Sequence, residues 1–243
     1  MPLMRMLLLL GLFATLTSAL GAECDADMLK AAREATLGEL AASARFSSCE
    51  VLPNDQATIA TLFAFERQSD DAAVVYDVHL TLLDKSSKRV IARRVELGAW
   101  PSDAYKIGSV TISSLELPSS SKARSFGVIE SWGGSSSVAF YSIQVLSVYQ
   151  QRGRKLVLVL DGLVTSIFQG EGCDVRITRE LVFGPPSKRS VLVPITVLER
   201  MEGESRDHQS CPPVNERGAT YVLMAEHGVY RVPRRLQPFG ETQ

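Results

Sequence analysis

Residues 72–97, with the sequence AAVVYDVHLTLLDKSSKRVIARRVEL, decide the fold class of this chain. Apolar side chains occupy every second position from Val74 to Leu82, and this period of two is typical of a half-buried strand. The polar turn KSSK at 85–88 joins that run to a second β-branched run at 89–97. Two strands that are joined by a short polar turn and share one apolar face are typical of antiparallel sheet. The stretch therefore predicts an antiparallel hairpin.

Runs of the same kind recur through the rest of the chain, at 57–65, 106–114, 123–132, 140–150, 154–168, 173–183, 190–201, 219–227 and 228–235. Turn-forming segments such as GGSSS (133–137) and GPPSK (184–188) separate them, and no helical pattern lies between them. This arrangement predicts a mainly β fold, an antiparallel β-sandwich or barrel-like domain over residues 53–243. Pro194 has no N–H to donate, so we expect its strand to be an edge or to carry a bulge.

A single helical segment precedes the strands. Residues 25–46 are rich in Ala, Leu, Glu and Lys, and either Asp25 or Asp27 is suited to cap the first turn. Gly38 interrupts the pattern, which fits one weak helix or two short ones. We therefore predict a helical cap over residues 23–52.

The N-terminus has the three parts of a secretory signal peptide: a cation at Arg5, an apolar run at 6–16 and small residues at 17–22. The apolar run is too short to cross a bilayer, which takes about 20 residues. We therefore expect residues 1–22 to be removed and the protein to be periplasmic or secreted. The remaining sequence, about 220 residues, contains no run long enough to span a membrane after cleavage.

The four cysteines of the chain are Cys24, Cys49, Cys173 and Cys211. An even number of cysteines in an oxidising compartment favours disulfides, and four cysteines allow three connectivities. Sequential pairing closes two modest loops, each worth about 3–4 kcal/mol in the chain-entropy model. We predict Cys24–Cys49 and Cys173–Cys211. The alternative for Cys173 is a nucleophilic thiol, but none of the three histidines lies in a cysteine-protease signature.

Charge and motifs exclude several classes of function. Without Arg5 the chain has 25 basic and 27 acidic residues, and this balance predicts no nucleic-acid partner. Phosphate-binding loops, dinucleotide fingerprints and the G-x-S-x-G elbow are all missing from the sequence. Asp77 and His79 share a strand face, but two such ligands do not make a metal site. We therefore predict no cofactor, no metal and no enzymatic activity.

Two aromatic segments are candidate binding loops: GAWPSDAY (98–105), with Trp100 and Tyr105, and ESWGG (130–134), with Trp132. An exposed tryptophan beside small residues can stack on a sugar ring or hold a partner's side chain. The alternative is that both tryptophans fill the ends of the β core. Burial of the two indoles distinguishes these interpretations.

The segments YDVHLTLLD (76–84), GAWPSDAY, RSFGVIESWGGSSS (124–137), VLDGLVTS (159–166) and GEGCD (170–174) occur in an order that resembles a group of uncharacterised exported proteobacterial proteins. The resemblance covers residues 74–174 and implies a bacterial envelope, most simply the periplasm. It implies no activity and no functional residues.

Together these observations predict an exported, non-enzymatic binding or envelope-accessory protein with a protein or glycan partner in the cell envelope. Two alternatives stay open: a hydrolase whose serine or carboxylate site is assembled from distant loops, and an inhibitor or immunity protein for an envelope enzyme. A hydrolase requires catalytic side chains that converge in a pocket.

Overall fold

The computed structural model describes residues 24–38, 44–70, 73–102, 105–115, 117–118, 123–134, 140–171, 173–185, 192–205 and 218–238. The fold is mainly β, as predicted. The elements are α1 (Ala26–Leu37), β1 (Phe46–Leu52), β2 (Asp55–Asp70), β3 (Ala73–Asp84), β4 (Val90–Ser102), β5 (Tyr105–Ser113), β6 (Ser125–Gly134), β7 (Phe140–Arg152), β8 (Lys155–Glu171), β9 (Cys173–Phe183), β10 (Ile195–Ser205), β11 (Thr220–Leu223), β12 (Ala225–Glu226), β13 (Val229–Tyr230) and a 3₁₀ turn, Arg234–Leu236.

Eight strands of one 11-stranded sheet form a curved path in the order β1-β2-β3-β4-β8-β7-β6-β5. Neighbouring strands are antiparallel except for β4 and β8, which are parallel. At the two ends of this path, the backbone N–H of Ile112 in β5 donates to Ser48 Oγ in β1 at 2.9 Å. These two end strands are adjacent but share no ladder, so the sheet is barrel-like without being closed.

The main core lies inside this curved sheet. All eight strands contribute buried apolar side chains to it, among them Leu62, Val78 and Phe126, each fully buried. The alternation of 72–84 is confirmed, because Val78, Leu80 and Leu82 lie in this core.

A second core gives the fold its sandwich character. From Ser166 onward, β8 pairs with β9, which pairs with β10, and β10 also pairs with β11. Leu146 of β7 and Leu160 of β8 pack in one cluster with Ile195 and Leu223 of this second layer. Pro194 lies just before β10, where its missing N–H removes no ladder bond.

The helix packs on the outer face of β1–β3, where Ala32 lies in one cluster with Ile59 and Leu83. The predicted Cys24–Cys49 disulfide is present, with its Cα atoms 5.5 Å apart. Asp25 is the N-cap, since its side chain accepts a 2.7 Å hydrogen bond from the backbone N–H of Met28.

Helix α1 ends at the residue where the sequence predicts an interruption. It ends at Gly38, whose φ of 56° is a left-handed conformation that glycine adopts without strain. Residues 46–52 of the predicted cap instead form β1, which pairs with β2 along its length. The sequence FSSCEVL forms a strand because its buried side chains pack within the sheet. Such a preference depends on tertiary packing, so local sequence propensity does not predict it.

Several sequence-based predictions lie outside the described residues. The signal segment 1–22 and Cys211 belong to this group, while the backbone of Cys173 begins β9. The Cys173–Cys211 pairing therefore stays a prediction. Within the described ranges, no helix is long and apolar enough to cross a bilayer.

Candidate binding site at an open seam in the sheet

The parallel strands β4 and β8 are joined at a single point. The ladder between them consists of one bridging pair, Arg93 and Lys155, beside a 3.3 Å hydrogen bond from the Arg93 N–H to the Arg154 carbonyl. The pairing of β8 with β9 starts only at Ser166. Across the described strands, the edge of β8 between residues 156 and 165 therefore has no ladder partner on this side. We call this gap the open seam.

Three carboxyl groups from distant parts of the chain interact electrostatically beside the open seam: Glu96 on β4, Glu130 on β6 and Asp161 on β8. Burial is the largest cause that raises the pKa of Glu130 and of Asp161, and the charge of Glu96 raises both further. Charge interactions are strongest over short distances in a partly desolvated region. The three groups therefore act as one electrostatic cluster, although 34 and 31 residues separate them along the chain.

Glu130 is the buried member of the cluster. It lies on the inner face of β6 between Val128 and Trp132, and only 6% of its surface is exposed. The indole Nε1 of Trp132 donates a 3.2 Å hydrogen bond to Glu130 Oε2. Burial raises the pKa of Glu130 to about 8, although hydrogen bonding to the indoles of Trp132 and Trp100 lowers it. At neutral pH this carboxyl is therefore mostly protonated.

Glu96 is held between a cation and a phenol. Arg94 donates through Nε to Glu96 Oε1, and Tyr149 donates through its hydroxyl to Glu96 Oε2 at 3.1 Å. The guanidinium of Arg94 also lies 5.8 Å from the centre of the Tyr149 ring, which stacks on Phe126. Burial raises the pKa of Tyr149 well above its usual range, so the phenol stays a donor.

Asp161 is the member that solvent reaches, since its side chain is exposed. It precedes Gly162, whose φ is 66° and whose N–H donates to Ser147 Oγ at 3.3 Å. The register between β7 and β8 shifts at this point. Partial desolvation and the charge of Glu96 raise the pKa of Asp161, while Arg94 lowers it.

A second bulge aims the β4 side chains inward. Glu96 lies opposite Val78 and Trp100 lies opposite Tyr76, so β4 has extra residues between these two pairs. Gly98 adopts a φ of 66° within the bulge, and its N–H donates to Asp77 Oδ1 at 2.8 Å. The bulge therefore keeps Glu96 and Trp100 close to the same interior, as bulges commonly do near sites.

The hypothesis of exposed binding loops requires solvent-exposed tryptophan side chains, and the structure buries both of them. Trp100 and Trp132 are 6% and 9% exposed and belong to the main core, as the alternative interpretation expects. Tyr105 is half-buried, with its ring 5.7 Å from that of Tyr141. The structure thus brings the two tryptophans together around Glu130, and neither offers an open stacking surface.

Sequence reasoning missed Arg94, Glu96, Glu130, Tyr149 and Asp161. Glu130 carries one recognisable signal, because it occupies an inner position in the alternating run FGVIESW (126–132). A carboxyl group at a core position requires a partner or a proton. The other residues carry no such local signal.

The described residues contain no group of three or more His, Cys, Asp or Glu side chains that could hold a metal ion. Comparisons with protein-family models, curated proteins and solved structures find no significant match to this chain.

Proposed function

We propose that this chain is an exported, non-enzymatic binding protein of the cell envelope, and that its ligand places a cationic amine in the open seam. The observation that carries this proposal is the electrostatic interaction of Asp161 with Glu96 beside the Arg94–Glu96 ion pair, with Asp161 exposed to solvent. An ammonium group placed beside Asp161 and Glu96 would relieve the Glu96 repulsion that adds to desolvation in raising the Asp161 pKa.

The distribution of exposure supports binding over catalysis. Glu130 is almost completely buried against an indole, and both oxygens of Glu96 already accept hydrogen bonds from Arg94 and Tyr149. Acid–base catalysis requires groups within hydrogen-bond reach of the substrate. Asp161 is the one carboxyl of the three that reaches solvent freely.

Export is supported by two observations. The Cys24–Cys49 disulfide fits an oxidising compartment, and residues 1–22 have the pattern of a signal peptide. The disulfide ties the start of the helix to β1, on the outer face of the sheet.

The experiment is isothermal titration of the full mature chain with pentylamine and with pentanol, which have the same alkyl chain and differ in charge. We expect measurable heat for the amine alone, and at least tenfold weaker amine binding in Asp161→Asn. The control is Glu226→Gln, which removes an exposed carboxyl that is paired with Arg231 and lies on a separate two-stranded sheet. Equal binding of alcohol and amine, or an unchanged Asp161→Asn variant, contradicts the proposal.

A hydrolase is the second candidate, and one observation favours it. The pKa of Glu130 is raised, and the charge of Glu96, which forms an ion pair with Arg94, contributes to that shift. Glycoside hydrolysis uses two carboxyl groups, one of which has a raised pKa and acts as the acid. The test is an assay of the wild-type chain on peptidoglycan fragments. Hydrolysis that is lost in Glu130→Gln supports the hydrolase candidate. If the chain binds the amine but does not hydrolyse the fragments, hydrolase activity on peptidoglycan is excluded.

A further inference from the structure

A groove of about 800 Å³ lies on the side of β4 that faces α1. The end of α1, β3, β4 and the start of β8 line it, with the residues Ala35, Thr36, Thr81, Val90, Ile91, Arg93, Arg94, Val95, Arg154 and Lys155. The groove begins where β4 and β8 meet, and it shares Arg94 with the open seam, although none of the three carboxyl groups lines it.

The charge of this groove is strongly positive. Arg93, Arg154 and Lys155 are exposed, and none of them forms an ion pair within the described parts of the chain. Arg94 also lines the groove, but Glu96 compensates its charge. No carboxyl group stands among the described lining residues. Three uncompensated cations around one depression attract an anionic group.

The floor of the groove is apolar and continues beyond it. Val90, Ile91 and Val95 line the groove, and Val95 is 48% exposed. The next outward position on β4 is Leu97, which is 66% exposed. At about 3.3 Å per residue, the outer row from Arg93 to Leu97 extends about 13 Å. A cationic end therefore adjoins an apolar strip of about the length of a medium alkyl chain.

We propose that this groove binds a single-chain fatty carboxylate, with the carboxylate between Arg93, Arg154 and Lys155 and the alkyl chain along Val95 and Leu97. Charge complementarity selects the anionic head group, because three cations face it and no carboxyl group opposes it. Binding of the alkyl chain covers the exposed apolar surface of Val95 and Leu97, which favours association through the hydrophobic effect. These observations are independent of the amine site, so failure of one proposal leaves the other unaffected.

The test is titration of the full mature chain with dodecanoate below its micelle concentration, beside dodecanol, dodecylammonium and inorganic phosphate. We expect dodecanoate to bind at least tenfold more tightly than each of the other three. The double variant Arg154→Gln/Lys155→Gln should weaken dodecanoate at least tenfold, and Leu97→Ser should weaken it several-fold. Lys106→Gln on β5 is the matched control, since Lys106 is exposed and does not line the groove.

Several results overturn this proposal. Equal binding of dodecanol means that charge does not select the ligand, and equal binding of phosphate means that the apolar strip is not used. Unchanged affinity in the double variant, with a wild-type circular dichroism spectrum, places the ligand elsewhere. A further result is that the wild-type chain forms a dimer and binds no dodecanoate, while Leu97→Ser is monomeric. That result shows that a second copy of the chain, and not a fatty carboxylate, covers this face.

Discussion

The indole Nε1 of Trp132 donates a 3.2 Å hydrogen bond to Oε2 of Glu130, two residues earlier on the same face of β6. Both residues belong to the interior of the curved sheet, where Glu130 is 6% exposed and Trp132 9%. A buried carboxyl is unfavourable unless it is hydrogen bonded or protonated, and here it is both. The pair therefore connects the stability of the main core to pH.

Glu130 makes the folded state less stable at alkaline pH. The pKa of its carboxyl is 4.5 in the reference state and about 8 in the fold, so the folded protein binds more protons between these pH values. The free energy of unfolding therefore decreases as pH rises through that window, by an amount on the order of a few kcal/mol, and levels off above it.

We expect Glu130→Gln to remove much of this pH dependence. The difference in the free energy of unfolding, variant minus wild type, should therefore be more favourable to the variant at pH 9 than at pH 6. Urea unfolding at both pH values measures this difference. The control is Glu202→Gln, because Glu202 is exposed on β10. A wild-type pH profile in Glu130→Gln contradicts the prediction.

Trp132→Phe should destabilise the fold more at high pH than at low pH. The Trp132 hydrogen bond lowers the pKa of Glu130 by favouring its ionised form, so losing that bond leaves the ionised carboxyl with one indole donor fewer, Trp100 alone. We expect a coupling free energy between Trp132→Phe and Glu130→Gln of about 1–3 kcal/mol at pH 9 and a smaller one at pH 6. Additive effects at both pH values, in a double-mutant cycle by urea unfolding, would disprove the coupling.

Arg179 connects three strands where β9 leaves the open seam. It donates to Glu199 Oε2 on β10 at 2.8 Å and to the Val164 carbonyl on β8 at 3.0 Å. Arg179→Met leaves Glu199 without its partner and should cost about 3–5 kcal/mol. The matched control is Arg200→Met, since the pair Arg200–Glu180 is exposed and worth about 0–1 kcal/mol. Equal losses in the two variants, measured by thermal unfolding, contradict this assignment.

Gly218 is the position where any side chain meets the backbone of β10. A Cβ built there clashes with the carbonyl oxygen of Glu199, so a side chain at this position requires the backbone to shift. We expect Gly218→Ala to cost about 3 kcal/mol or more and to increase amide exchange in β11. Gly108→Ala is the control, because its Cβ lies at an ordinary 3.7 Å from the Ser131 carbonyl. Unchanged exchange in β11 would show that β11 tolerates the shift.

The Cys24–Cys49 disulfide should stabilise the helix more than the sheet. It closes a loop with a sequence separation of 25, and the paired variant Cys24→Ser/Cys49→Ser should lose about 3–4 kcal/mol. Faster amide exchange in α1 than in β6, followed by mass spectrometry, is the expected signature. A urea midpoint equal to that of wild type, with α1 still protected, would mean that packing alone holds the helix.

Local patterns determined the elements. Apolar alternation from Val74 to Leu82 identified β3, because one face of this strand packs into the main core. The helix cap at Asp25 and the Cys24–Cys49 disulfide were also predicted from the sequence, since both join residues that lie close together along the chain. The strand at residues 46–52, which the sequence assigned to the helical cap, was not predicted, because β1 owes its structure to pairing with β2.

The amino-acid sequence by itself determined the β class, the capped helix and the tryptophans that now surround Glu130. Only the tertiary structure decided the candidate site, because it depends on β4 meeting β8 across more than 60 intervening residues. The bulges at Gly98 and Gly162 then aim Glu96 and set the position of Asp161. The physical reason is that charge interaction depends on distance in space, which strand order and bulges establish and local sequence does not.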